Sequence, residues 1–222
     1  MNKPIIFLGP SLNKESAQKI LDAEYRIPAK KGDFLRLQNL TSDRIIVGLI
    51  DAVFLYNYPP TPIEVYQLIK NDKFIVAGAA SLGALRAVEL EKFGMIGIGK
   101  IFELFKKHVI DADDEVAVTF TEDEHKLQSE AMIDIRFNLF LAQRKGIIDE
   151  NIKKKICRVA KNMYFPHRNY SDIIDLVKKK YPTLGSKLDS FRCYIETERQ
   201  SLKERDAIKL LKYVKTLSSR TV

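Results

Sequence analysis

Apolar positions gather in four short runs over the first 80 residues: "PIIFLG" (4–9), "YRIPA" (25–29), "RIIVGLID" (44–51) and "KFIVAGAA" (73–80). The first, third and fourth are continuous and rich in β-branched residues, the pattern of strands buried on both faces of a parallel sheet. Helical patterns lie between them. "SLNKESAQKILDAEY" offers Ser11 or Asn13 as a cap and sets Ala17, Ile20 and Leu21 on one stripe. "TPIEVYQLIKN" carries Thr61 as cap and Pro62 at the first helical position. Strands alternating with helices predict an α/β fold with a Rossmann-like, mostly parallel sheet.

The pattern changes after Glu91. "FGMIGIGKIFELFKKHVI" has three glycines followed by a short amphipathic helix, and "DADDEVAVTF" is an acidic turn leading into a predicted strand, Val116–Phe120. From Glu122 onward almost everything has helical period. "EDEHKLQSEAMIDIRFNLFLAQRKG" places Leu127, Ala131, Ile135 and Leu139 near one face and stops at Gly146, a favourable residue just past a helix end. "IDENIKKKICRVAKNMYF", "YSDIIDLVKKKY" and "RQSLKERDAIKLLKYVK" follow as further helices. The expected organisation is an α/β core over 1–121 with a basic helical region over 122–222 packed on it.

Composition narrows the function classes. A chain of 222 residues with 45% apolar and 30% charged residues is ordinary for a globular protein, and it has no run of 18 apolar residues that would span a membrane. The apolar run at the N-terminus is too short for a signal-peptide core, and Cys157 and Cys193 lack disulfide or metal spacing, so the expected location is the reducing cytoplasm. His108, His125 and His167 are scattered and suggest no metal site. Charge is uneven: residues 151–222 hold 18 Lys/Arg against 7 Asp/Glu, while residues 1–150 hold 19 against 22. Such a basic region is a solvated surface or a docking face for an acidic protein. No RNA-binding signature with interleaved aromatics accompanies it, which ranks nucleic acid lower.

Ligands of open parallel sheets bind at the carboxyl ends of the strands. That rule selects Ser11 in "GPS", Lys30, Lys31 and Asp33 in "PAKKGD", Asp51 in "LID", and Ser81 in "VAGAASLGALRAVEL". Ser81 stands where a strand hands over to a helix, so it is a helix cap, part of an anion site, or a nucleophile. Gly78 and Gly83 leave room for a ligand or serve close helix–strand packing. The stretch is not the G-x-S-x-G elbow, and no histidine lies near a strand end, but a lysine can deprotonate serine. Arg86, five residues on, reaches an anion or pairs with a carboxylate. Asp111, Asp113, Asp114 and Glu115 hold a hard cation or solvate a turn. A nucleotide site ranks last, because neither G-x-G-x-x-G nor a P-loop lysine follows any strand.

Jointly, "IFLGPSL" (6–12), "AKKGDF" (29–34), "VGLIDAVF" (47–54), "VAGAASLGALRAVELEKFGMIGIGKIF" (76–102) and "DDEVAV" (113–118) resemble the TfuA-like proteins, partners of YcaO enzymes in peptide backbone thioamidation. The resemblance implies release of sulfide from a ThiS-like carrier bearing a C-terminal thiocarboxylate, together with help to YcaO in engaging its peptide substrate. It also implies a serine–lysine pair and no cofactor. In methanogenic archaea the modified substrate is methyl-coenzyme M reductase, which acquires a thioglycine. Carried onto this chain, Ser81 is the nucleophile, with Lys31 or Lys100 as the lysine and Ser11, Asp33, Asp51, Gly78, Gly83 and Arg86 as substrate-binding candidates. Two departures stand out: Ile63 in "TPIEV" replaces the lysine of the family's "HKE" stretch, and Ala52 replaces the glycine of "IDG". The first of these also leaves open a non-catalytic adaptor that joins carrier, YcaO and peptide.

Overall fold

The computed structural model describes residues 3–40, 44–53, 58–121 and 126–220, so Phe54 of the matched "VGLIDAVF" stretch, His125 and the first four residues of the helix expected from Glu122 lie outside the described residues. The chain forms two compact units, one of residues Met1–Asp113 with Lys203–Val222 and one of Asp114–Leu202.

The first unit is built on a five-stranded parallel sheet: β1 (Ile5–Phe7), β2 (Glu24–Arg26), β3 (Ile45–Leu49), β4 (Phe74–Ala79) and β5 (Ile96–Ile98), in the spatial order β2-β1-β3-β4-β5. Alternation of side chains divides each strand between two faces. Ile6, Ile46, Ala77 and Ala79 belong to one core with Ala17 of α1 (Lys14–Ile20) and with Ala207, Leu210, Leu211 and Val214 of α10 (Leu202–Arg220). On the other face, Phe7 stacks on Phe34 of α2 (Asp33–Leu37). Helices α3 (Pro62–Ile69), α4 (Leu82–Leu90) and α5 (Lys100–Lys106) complete the unit.

The capping expectations resolve in favour of particular residues. Asn13, rather than Ser11, caps α1 by accepting from the Glu15 and Ser16 amides. Thr61 and Glu64 form a reciprocal capping box at α3, with Pro62 at its start.

The second unit is helical: α6 (Met132–Arg144), α7 (Glu150–Asn162), α8 (Tyr170–Lys180) and α9 (Gly185–Glu198) surround a core that includes Leu139, Ile156, Ile173, Leu188 and Phe191. Gly146 lies just past α6 with φ 73°, as its position predicts.

Several expectations are corrected. No strand forms over Val116–Phe120. Residues Asp113–Glu115 are instead a 3-10 turn, and Phe120 makes only an isolated antiparallel bridge to Leu127. The Thr119 amide donates to the Ser129 hydroxyl and the Glu130 amide to the Arg168 carbonyl, which spends backbone bonding on tertiary contacts and delays α6 to Met132. Strand β5, helix α2 and helix α9 were not anticipated. The first two are too short for a periodic signal, and three glycines in "FGMIGIG" mask β5. The division at 121/122 also shifts. Residues from Lys203 belong with the sheet, because α10 carries an apolar stripe that buries there. Gly48 makes room for it, since a Cβ at that position would lie 2.9 Å from Leu210 Cδ2.

Candidate functional site

The sheet order 2-1-3-4-5 reverses direction between β1 and β3, and in such sheets the crevice outside those strand ends is where ligands bind. Ser11 and Asp51 occupy that point. The Asp51 carboxylate is 1% exposed and accepts three hydrogen bonds: from the Ser11 hydroxyl at 2.6 Å, the Gly9 amide at 2.9 Å and the Ser11 amide at 3.1 Å. A buried carboxylate is retained only when its lone pairs are filled in this way. Asp51 therefore holds the "GPS" loop in shape.

Ser81 lies at the end of β4, one strand further along. Two glycines place it. A Cβ on Gly83 would stand 1.8 Å from the Leu49 carbonyl oxygen, and one on Gly78 would stand 2.1 Å from the Gly83 carbonyl oxygen. Both glycines are thus occupied by packing the first turn of α4 against the ends of β3 and β4. The Gly83 amide points to the Ile50 carbonyl at 3.4 Å, which brings the turn beside the residue that precedes Asp51.

The turn itself is strained. Ala80 is fully buried with φ 66°, a left-handed conformation that costs an alanine about 1–2 kcal/mol. Strain of this kind persists only where the surroundings impose it, and it concentrates at functional sites. Ser81 follows at the N-cap position, but its side chain makes no capping bond. It is 2% exposed, and its hydroxyl has no hydrogen-bond partner among the described residues, although it is not one of the fully enclosed orphan atoms. The Ser81 amide donates to the Ala79 carbonyl, whereas the Leu82 amide, next in line at the helix start, has no partner among the described residues. An almost buried, uncommitted hydroxyl therefore stands beside a free backbone donor at a helix N-terminus, where the dipole favours negative charge.

The other candidates are placed as follows. Lys31 donates its amide to the Tyr58 carbonyl and lays its ammonium 5.8 Å from the Tyr58 ring centroid. The Lys30 amide donates to the Asp33 carboxylate, which Arg36 also pairs. Glu64, buried and anchoring the capping box, accepts from the Gly32 amide at 2.7 Å and so ties α3 to the Lys31–Gly32 turn. Arg86 is committed: its Nε donates to the Pro60 carbonyl and its Nη1 to Glu89. Lys100 opens α5 and pairs with Glu103 at 3.0 Å on the surface. Neither Lys31 nor Lys100 is hydrogen-bonded to Ser81. The bond between Gly32 and Glu64 and the strained Ala80 were not foreseen, whereas a free backbone donor after Ser81 is what a helix start there leads one to expect. The first joins residues 32 apart in the chain and the second is a backbone conformation, and neither has a signature in local residue identity.

In the acidic stretch after α5, Asp114 and Glu115 are neutralised by arginine and lysine. Within the helical unit, buried Glu115 receives Arg136 Nε and Nη2, both at 2.9 Å, and Lys161 Nζ at 2.9 Å. Asp114 accepts from Lys161 and from Arg168, whose side chain is 1% exposed and also satisfies the Ala160, Met163 and Asp114 carbonyls. Burial works to raise both carboxyls, but these charged hydrogen bonds outweigh it and hold both below their ordinary range. Asp114 and Glu115 thus belong to a structural ion network, while Asp111 and Asp113 are exposed.

No curated protein matches this sequence. A family model described as TfuA-like protein matches residues 51–169, beginning at the Asp51 clamp and running one residue past Arg168. The chain therefore belongs to the TfuA-like family, known as partners of YcaO enzymes in thioamidation.

Proposed function

We propose that this protein hydrolyses the C-terminal thiocarboxylate of a ThiS-like sulfur carrier, freeing sulfide for a YcaO enzyme, with Ser81 as nucleophile. The observation that carries the reading is the uncommitted Ser81 hydroxyl on a strained turn, next to the free Leu82 amide. In this scheme a lysine amine takes the Ser81 proton and the oxygen attacks the thiocarboxylate carbon. The tetrahedral oxyanion is stabilised by the Leu82 amide, the position that supplies one oxyanion-hole donor in α/β-hydrolase sites. The carbon–sulfur bond breaks, sulfur leaves as hydrosulfide with the lysine's proton, and water then hydrolyses the Ser81 ester to return the carrier as a carboxylate. The reaction needs no redox partner.

Lys100 and Lys31 are the candidates for the base. Ala79 pairs in register with Ile98, so the turns that lead to Ser81 and to Lys100 leave neighbouring strands at the same edge of the sheet. Lys31 follows β2, but Ala29 bridges to Ala52 beyond the end of β3, which brings the Lys31 turn to the carboxyl edge one strand from β4. Lys100 would leave its surface pair with Glu103, a bond of small worth, to reach the serine. Catalytic hydrogen bonds commonly tighten only when substrate is present.

The test is sulfide release from a thiocarboxylated carrier. Ser81→Ala is expected to lower the rate by about 10³-fold or more, and whichever of Lys100→Met and Lys31→Met lowers it comparably identifies the base. Undiminished release by Ser81→Ala would refute the hydrolase. The absence of a hydrogen-bonded lysine at Ser81 and the exposed Ile63 in place of the "HKE" lysine favour a second reading, an adaptor joining carrier, YcaO and its peptide substrate. In that case Ser81→Ala supports thioamidation at the wild-type rate with either sulfur source.

A further inference from the structure

Within the helical unit, a cleft of about 460 Å³ opens between α6 and α7, lined chiefly by Arg136, Lys153, Lys154, Cys157, Arg158 and Lys161. Five of those six side chains are cationic. Three carboxylates answer them: Glu115 and Asp114 take Arg136 and Lys161, and Glu150 takes Lys153 and, at 3.8 Å, Lys154. Arg158 is exposed and has no partner among the described residues. Two positive charges are therefore uncompensated in one concave site.

Their arrangement says what kind of anion fits. Lys154, Arg158 and Lys161 fall at intervals of four and three on α7, so they form a stripe along one helix face, about 10 Å long. A compact anion such as phosphate is held by donors converging on a point. A row matches carboxylates spaced along an extended chain, where alternate side chains on one face stand about 7 Å apart. A nucleic acid fits less well on two counts. No aromatic side chain lines the cleft for base stacking. The helical unit as a whole holds 16 Lys/Arg against 14 Asp/Glu, without the broad positive field that a polyanion requires.

We propose that this cleft is a docking site for a short acidic protein segment, whose alternate carboxylates pair with Lys154, Arg158 and the outer face of the Arg136–Lys161 network. The site is independent of Ser81 and of the hydrolase reading. Its floor contains a reporter, because the Cys157 sulfur lines the cleft and accepts a hydrogen bond from Arg136 Nη1 at 3.2 Å. The second cysteine, Cys193, is exposed and is not among the cleft-lining residues.

The experiment follows iodoacetamide alkylation of both cysteines in the full chain, with a peptide of four Glu-Gly repeats, its Gln-Gly counterpart, inorganic phosphate or a short single-stranded RNA as probe. The Glu-Gly peptide is expected to slow Cys157 alkylation several-fold while leaving Cys193 unchanged, and the protection should fade as salt is raised. Arg158→Glu and Lys154→Glu change exposed residues outside the buried network and are expected to weaken peptide binding about tenfold each. Unchanged helical circular dichroism confirms that these variants are folded. Equal protection by the Gln-Gly peptide, by phosphate or by RNA, or peptide binding that survives both charge reversals, overturns the assignment.

Discussion

Replacing Asp51 separates loss of a charge from loss of a scaffold. In Asp51→Asn the amide oxygen can still accept from the Gly9 and Ser11 backbone, and the Ser11 hydroxyl can rotate to accept from the new NH₂. All three contacts survive as neutral bonds, each weaker by about 1 kcal/mol than its charge-assisted form. The lower cost of burying a neutral amide offsets part of that, so the expected loss is about 1–2 kcal/mol. In Asp51→Ala two amides and one hydroxyl lose their acceptor where the carboxylate was almost fully buried. At about 1–3 kcal/mol for each unsatisfied group, with partial relaxation of the half-exposed Gly9 toward water, the expected loss is about 3–5 kcal/mol. Urea unfolding followed by circular dichroism measures the difference. Amide hydrogen exchange at Gly9 and Ser11 localises it, with protection kept in Asn and lost in Ala. An alanine variant within about 0.5 kcal/mol of the asparagine variant, with both amides still protected, would refute the view that this carboxylate holds the loop.

Further outcomes follow from the same geometry. Ser81→Ala is expected to change unfolding free energy by less than about 0.5 kcal/mol, against about 1 kcal/mol for a serine that caps its helix, because the hydroxyl makes no capping bond; a larger loss in a denaturation curve contradicts the uncommitted hydroxyl. Gly83→Ala forces a methyl against the Leu49 carbonyl and should cost about 3 kcal/mol or more, read as a lowered melting temperature together with loss of sulfide release. Asp114 and Glu115 have folded values below their ordinary 3.8 and 4.5, so their stabilisation is complete above those values and is lost as pH falls through the depressed ones. The helical unit should therefore weaken below about pH 4.5, and Glu115→Gln should flatten that acid limb in a pH series of unfolding curves. Lys161 is shifted the opposite way: burial works to lower it, but bonds to Asp114 and Glu115 raise it, so its contribution holds below 10.5 and disappears only as pH rises beyond.

Much of the α/β unit was legible from the chain because its signals are local. Continuous β-branched runs gave β1, β3 and β4, and Thr61 with Pro62 fixed the start of α3, since burial on both faces and cap chemistry depend on neighbouring residues alone. Ser11, Asp51 and Ser81 were selected by the strand-end rule for the same reason. "VAVTF" reads as a strand but forms none, because competing acceptors, Ser129 and the Arg168 carbonyl, lie far along the sequence.

What the sequence determined by itself is the layer type, the Thr61–Pro62 start of α3 and the list of residues at the carboxyl edge, all consequences of spacing along one chain. Tertiary structure alone decided which of them act together. It joined Ser11 to Asp51 across 40 residues, committed Arg86 to Pro60, and spent Asp114 and Glu115 on Arg136, Lys161 and Arg168. It also redistributed the charge. The basic last third of the sequence is divided when α10 returns to the sheet, leaving 21 Lys/Arg against 15 Asp/Glu on the α/β unit and near balance on the helical one. The reason is the range of the forces involved. Propensity and capping act within a few residues, whereas a buried charge must find its partner wherever the fold brings one.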